Sequence, residues 1–234
     1  ADPERPFLRR LLVPRIFDNI EERLLPALQH TLTESERADL CVGYFNLRGW
    51  SELCDHVDHF SGGDDAACRI LVGMHRSESE ELRRALRFGD AERLDNGVAI
   101  RLKKELAQEF RDQLVWGAPS NEDERVLQRL AAQIREGRVR VKLFLRHTLH
   151  AKLYLCFPNT FNQPAIGFLG SSNLTFSGLS HQGELNVDVK DDDACRKLAA
   201  WFKDRWDDRW CVDVSDDLVE AIEESWARTE AIPP

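Results

Sequence analysis

The chain has 234 residues, enough for one large α/β domain or two small ones. A hydrophobic share of 42% with 31% charged residues is that of a globular protein in water, and no stretch approaches the roughly 18 apolar residues that cross a bilayer. The net charge of −9 argues against a surface that binds polyanions everywhere, so any affinity for phosphate has to be local.

In chain order, residues 16–33 carry Ile16, Ile20, Leu24, Leu25, Leu28 and Leu32 at helical spacing, which predicts a helix. Residues 38–45 form a short apolar run that predicts a buried strand, followed by a helix from about 49 to 59. Ser61-Gly62-Gly63-Asp64-Asp65 is a loop by composition, and residues 68–73 predict a second strand. Residues 78–135 read as mostly helical and highly charged, broken at Gly117-Ala118-Pro119-Ser120-Asn121, with Ser120 or Asn121 as the cap of the next helix. This stretch could be an inserted arm or a partner surface.

A β-rich region follows, with strands expected at 139–145, 151–157, 165–170 and 184–189. Two helices, about 192–209 and 215–229, close the chain, with Trp201, Phe202, Trp206, Leu218, Ile222 and Trp226 on their packing faces. Strands alternating with helices give the α/β class, and the hairpin-like spacing around 151–170 predicts a mixed sheet. Without repeats or a clear linker, residues 1–234 read as one domain, and the Ala231-Ile232-Pro233-Pro234 end reads as a helix running into a linker of a longer protein. Ala1-Asp2-Pro3-Glu4-Arg5 has no apolar secretory core, and the six cysteines make no C-x-x-C pair. Those cysteines read as small buried hydrophobes in a reducing, cytoplasmic setting.

The chemistry gathers late in the chain. His150-Ala151-Lys152 sets two basic side chains at i and i+2, which share a face of a strand and can meet one small anion. An imidazole there can attack phosphorus, and an ammonium can neutralise charge on the equatorial oxygens. So short a pattern is by itself also that of an ordinary surface histidine. Gly170-Ser171-Ser172-Asn173 lies where an apolar strand exits, with glycine for close approach and Ser171, Ser172 and Asn173 as donors to phosphate oxygens; a capping turn is the plainer reading. Glu184 heads the next strand, where a carboxylate can orient an imidazole or be a simple edge charge. Residues 135–152 hold six basic side chains against Glu136 alone, a strip that suits a phosphate substrate or a solvated strand face equally. Arg146, His147 and His75 could reach substrate. The Cys54, His56, Asp58 and His59 group has ligand-type residues but reads better as a solvated helix face than as a metal site.

Together, His150-Ala-Lys152, Gly170-Ser171-Ser172-Asn173 and Gly183-Glu184-Leu185-Asn186 resemble the phospholipase D superfamily, whose signature is H-x-K-x4-D followed by G-S-x-N. Phe157 stands where that signature has aspartate, so the sequence looks more like the bacterial nuclease branch than the lipid-hydrolysing members. The stretch from Leu12 to Trp50 is similar to the phospholipase D-like domain at the N-terminus of bacterial superfamily 2 helicase-like proteins. The resemblance implies a phospholipase D-like mixed β-sheet flanked by helices on both faces, with a single H-x-K half-site per chain. It implies His150 as nucleophile, Lys152 and Asn173 as phosphate ligands helped by Ser171 and Ser172, and Glu184 tuning a histidine, with no metal and no cofactor. One H-x-K per chain implies a homodimer with the site at the two-fold axis. The expected substrate is nucleic acid, DNA ahead of RNA, with a fused or partner helicase or translocase and no membrane association. The alternative is a catalytically silent DNA-binding and dimerisation module.

Overall fold

The computed structural model describes residues 13–73, 104–108, 110–112, 114, 121–159 and 165–224. His75, Trp226, the Gly117–Ser120 break and most of the expected charged arm lie outside the described residues. Eight strands form one sheet: β1 (Ile16–Phe17), β2 (Ser35–Val42), β3 (Cys68–Val72), β4 (Val139–Phe144), β5 (Leu153–Pro158), β6 (Ile166–Gly170), β7 (Asn186–Val189) and β8 (Cys211–Asp213). Their spatial order is β1-β7-β6-β5-β2-β3-β4-β8. The central β2, β3 and β4 run parallel, and every other pairing is antiparallel, which makes the mixed sheet expected from the sequence.

Helices cover both faces. On one side lie α1 (Leu24–Thr33), α2 (Leu47–Ser51), a 3-10 turn at Cys54–Val57, α3 (Asn121–Arg135) and α5 (Ser215–Glu223). In α3, Leu127, Leu130, Ala131 and Ile134 recur at helical spacing and are buried in the larger core. Gln133 is buried beside them, accepting from Trp50 Nε1 at 3.1 Å and donating to the Cys54 carbonyl at 2.9 Å. On the other face, among the described residues, α4 (Asp192–Trp206) covers the smaller core, with Phe202 stacked on Trp206 at 5.6 Å. Asp191 caps α4 by accepting from the Ala194 N–H at 2.8 Å.

Two departures from the sequence reading are informative. The helix expected over 16–33 starts only at Leu24. Asp18 accepts from the backbone N–H groups of Ile20, Glu21 and Glu22, and Asn19 adopts a φ of 61°. This local turn diverts the chain so that Ile16 and Phe17 pair with β7, and Phe17 packs edge-on to Phe168 at 5.7 Å. The helix expected over 49–59 is two short pieces, α2 and the 3-10 turn. The polar groups of that region find protein partners: Asp58 pairs with Arg129, His56 with Thr33, and His59 with the Ser35 carbonyl. β8, three residues long, carries no sequence signal and exists by pairing with β4.

Under α4, Asp39 is fully buried and takes both Nε and Nη2 of Arg69, at 2.6 and 2.7 Å. Arg37 approaches the same carboxylate at 3.7 Å, and its guanidinium lies 3.7 Å from the ring centroid of Phe157. Phe157, the residue at the signature's aspartate position, therefore sits at the far end of β5 from His150 and packs on an arginine.

The cysteines at 41, 54, 68, 156 and 195 are buried as expected, whereas Cys211 is only partly so, and all six are free. Burial pushes the Cys41 thiol up to about 12 and the Cys156 thiol well above the ordinary range. Among the described residues, no helix is long and apolar enough to cross a membrane.

Candidate active site

Register places one row of residues along an end of the sheet. Gly170 of β6 faces Asn186 of β7, and the Gly170 N–H reaches the Lys152 carbonyl at 3.4 Å. One step on, Leu153 pairs with Cys41 of β2, and Val42 pairs with Val72 of β3. This is where the parallel strands β2 and β3 end at their carboxyl termini, the edge where open α/β sheets hold ligands. Here β6 exits, β7 begins and β5 begins.

His150 and Lys152 both precede β5, which starts at Leu153, so the shared strand face expected from the i, i+2 spacing is not what joins them. His150 is exposed, whereas Lys152 is only 5% exposed and donates its ammonium to the His150 carbonyl at 3.1 Å. The segment is fixed by its neighbour, for the Leu149 N–H donates to the Gly73 carbonyl at 3.0 Å. A Cβ on Gly73 would lie 2.0 Å from the Leu149 carbonyl oxygen, so only glycine allows this approach. Burial pulls the Lys152 ammonium below the usual 10.5, and the nearby negative charge of Glu184 opposes that fall.

The Gly170–Asn173 loop is built by neighbours that the sequence reading did not weigh. Asn186 is 3% exposed; its Oδ1 accepts from the Ser172 N–H at 3.3 Å and its Nδ2 donates to Ser172 Oγ at 2.8 Å. Tyr154, fully buried in β5, donates its hydroxyl to the Ser172 carbonyl at 3.0 Å, and burial raises its own proton affinity well above normal. Ser171 Oγ accepts from the Leu185 N–H at 3.0 Å. Both serine hydroxyls thus accept hydrogen bonds from the β7 side, and Ser172 is wholly buried. A Cβ on Gly170 would meet the Leu185 carbonyl oxygen at 2.2 Å.

Asn173 is half-buried, and its Oδ1 accepts from the Gly43 and Tyr44 N–H groups at 3.0 and 2.9 Å, just past β2. With the oxygen committed twice, the carboxamide nitrogen is the end left for another acceptor. Glu184, partly buried, lies close enough to Lys152 and Tyr154 for its charge to act on both. A buried tyrosine in an apolar strand and an Asn two residues past Glu184 were the available signals for the two missed residues.

The basic strip at 135–152 does not act as one. β4 runs away from its first residues, so Arg138 and Arg140 stand at the opposite end of the sheet. Arg135 pairs with Glu223, Arg138 with Glu136, and Arg140 with Asp64 and Asp213, while Lys142 lies against Trp206. Arg146 and His147 follow β4 and are exposed; Arg146 pairs with Asp208 at 2.9 Å, and the His147 ring packs on Phe144 at 5.1 Å.

The family model described as the cardiolipin synthase, phospholipase D-like domain matches residues 28–206, which takes in the whole of this site. The chain belongs to this phospholipase D-like family. Phosphatidylserine synthase of Haemophilus influenzae Rd KW20 shares the fold, with a TM-score of 0.50 and 11% identity over 90% of this chain and 44% of that one. Two further structures align at 10% identity over 86% of the chain: NucT from Helicobacter pylori, with a TM-score of 0.47 and 98% of its length, and the phospholipase D family member Nuc from Salmonella typhimurium, with 0.48 and 97%. No curated protein matches the sequence.

Proposed function

We propose that the chain is a metal-independent phosphodiesterase that cleaves nucleic acid, DNA ahead of RNA. The observation that carries this reading is the row at the sheet end. The segments that carry an exposed histidine, a desolvated ammonium and a carboxamide with its oxygen already committed all leave or enter the sheet at this end, and the charge of Glu184 acts on that ammonium. That set suits a phosphodiester, in which one group attacks and two neutralise the non-bridging oxygens. Members of the phospholipase D superfamily act on phosphodiester bonds, and the nuclease-like signature around Phe157 supports a polynucleotide over a lipid.

In this reading His150 attacks phosphorus, forming an N–P bond as the P–O bond to the leaving strand breaks. His150 of a second copy of the chain, protonated, gives its proton to the departing alkoxide. That imidazole then takes a proton from water, whose oxygen attacks phosphorus and releases His150. Lys152 and Asn173 hold the phosphate oxygens, and Glu184 keeps Lys152 charged and an imidazole oriented. The phosphate ligands offered by the loop are its backbone and the Asn173 nitrogen more than the hydroxyls of Ser171 and Ser172, while Arg146 and His147 border the approach. A homodimer supplies the second histidine, because no other histidine of the chain is followed two residues on by lysine. Similarity of residues 12–50 to helicase-associated domains supports a fused or partner helicase or translocase that delivers the substrate.

The test is cleavage of labelled single- and double-stranded DNA and RNA in EDTA by the wild-type chain and His150→Ala, with sedimentation in parallel. Cleavage lost in the variant, by a dimeric wild type, is the expected result. Full activity in His150→Ala removes the nucleophile assignment, and a strict monomer removes the shared site. Binding without cleavage makes the chain a silent DNA-binding module, and turnover of phospholipid vesicles alone replaces the substrate class.

A further inference from the structure

We propose that Phe176 and His181 form a stacking subsite for an unpaired nucleobase next to the scissile phosphate. The inference rests on the nucleic-acid reading above and deepens it, since it makes a single strand the substrate form.

The connection from β6 to β7 leaves the sheet through Asn173 and returns through Glu184, so both of its ends carry site residues. Its middle is a π-helical turn at Ser177–His181, a rare element that recurs at functional sites. Phe176 is 38% exposed, one of the few large apolar side chains left in solvent among the described residues. The His181 ring lies 4.4 Å from it, tilted by 33°, so the two rings stack on each other and a base would extend that stack on an outer ring face. Ser180 Oγ contacts His181 Nδ1 at 2.7 Å and donates to the Phe176 carbonyl at 2.8 Å, so one hydroxyl ties both platform residues together.

The turn is held to a degree that a plain surface connection does not need. Leu179 is fully buried and anchors it from below. Thr175 Oγ1 accepts from the Gly178 N–H at 3.1 Å, and the Gln182 N–H donates to the Ser177 carbonyl at 2.7 Å. From the other end of the chain, Asn19 donates its carboxamide nitrogen to the Gly178 and Gln182 carbonyls, at 3.1 and 3.2 Å. Asn19 is buried and holds the left-handed φ of 61°, a conformation that asparagine tolerates better than most residues. A preformed aromatic face costs little to order on binding, and every base has a π-face to lay on it. With a net charge of −9, the chain has no broad electrostatic hold on a polynucleotide, so stacking beside the phosphate site is the chemistry on hand to retain one.

The experiment measures binding of the wild-type chain, Phe176→Ala and Phe176→Trp to a fluorescein-labelled 12-nucleotide single-stranded DNA and to the same strand built of abasic residues. Stacking predicts that Phe176→Ala weakens the normal strand by about 5- to 150-fold. It also predicts that the variant leaves the abasic strand within about twofold, and that Phe176→Trp restores the difference. Equal binding of both strands by the wild type, unaltered in Phe176→Ala, overturns the subsite and leaves the nucleic-acid reading standing. A wild type that binds neither strand overturns both. Conversion of a dimer to a monomer by Phe176→Ala, with equal losses on the two strands, overturns the subsite and makes this face a contact between copies.

Discussion

Replacing Asn186 with alanine tests how the candidate site is held in place. The side chain makes two hydrogen bonds, both to Ser172, and both residues are buried. Each net hydrogen bond contributes about 1 kcal/mol, and a buried donor left without a partner costs about 1–3 kcal/mol. Asn186→Ala strips the Ser172 N–H of its acceptor, so the expected loss of stability is roughly 2–4 kcal/mol. Ser172→Ala orphans the Asn186 Nδ2 group instead and should cost about 1–3 kcal/mol. Because the two changes break one reciprocal pair, the double variant should fall short of the sum by roughly 1–2 kcal/mol. Urea unfolding of the four proteins measures this coupling. Asn173 follows Ser172 directly, so the same variant should also lower cleavage. A shift of about 1 Å at a catalytic group costs on the order of 100-fold in rate. Strictly additive losses, or an Asn186→Ala protein with wild-type stability, would refute the claim that this pair fixes the loop.

Two other perturbations separate scaffold from site. Asp39→Ala leaves Arg69 without its bidentate partner beneath α4 and should cost about 3–5 kcal/mol in urea unfolding; a loss below about 1 kcal/mol would show that the cluster is solvated. Lys152 loses its proton below the usual 10.5, so binding of single-stranded DNA should weaken at a lower pH than an ordinary lysine gives. Glu184→Gln removes the charge that opposes this fall and should move the alkaline limb of binding to still lower pH; an upward shift would contradict the arrangement. Since the unfolded chain holds this proton more tightly, the same group makes stability rise as pH climbs from its folded-state value towards 10.5.

Six of the eight described strands and the α/β class follow from the sequence, which also marks the residues proposed for the site. Apolar runs at 38–45, 68–73, 139–145 and 165–170 can only be buried, and burial of so many short runs with helices between them requires a mixed, two-faced sheet. The residues proposed for the site, His150, Lys152, Asn173 and Glu184, stand out in the sequence because they flank strand ends, which periodicity locates. Tertiary structure decided the rest, for reasons of pairing across long separations. Helical spacing over 16–33 lost to an Asp18 turn and a strand pairing with β7, in which Phe17 sits opposite Asn186, 169 residues further on. The basic strip looked continuous because sequence cannot show that β4 carries its arginines to the far end of the sheet, where carboxylates neutralise them. Asn186 and Tyr154 are marked in the sequence by their neighbours, but that they meet on Ser172 could not be read there, for the same reason. A buried polar side chain takes its role from the partner it meets, and that partner is chosen by the fold.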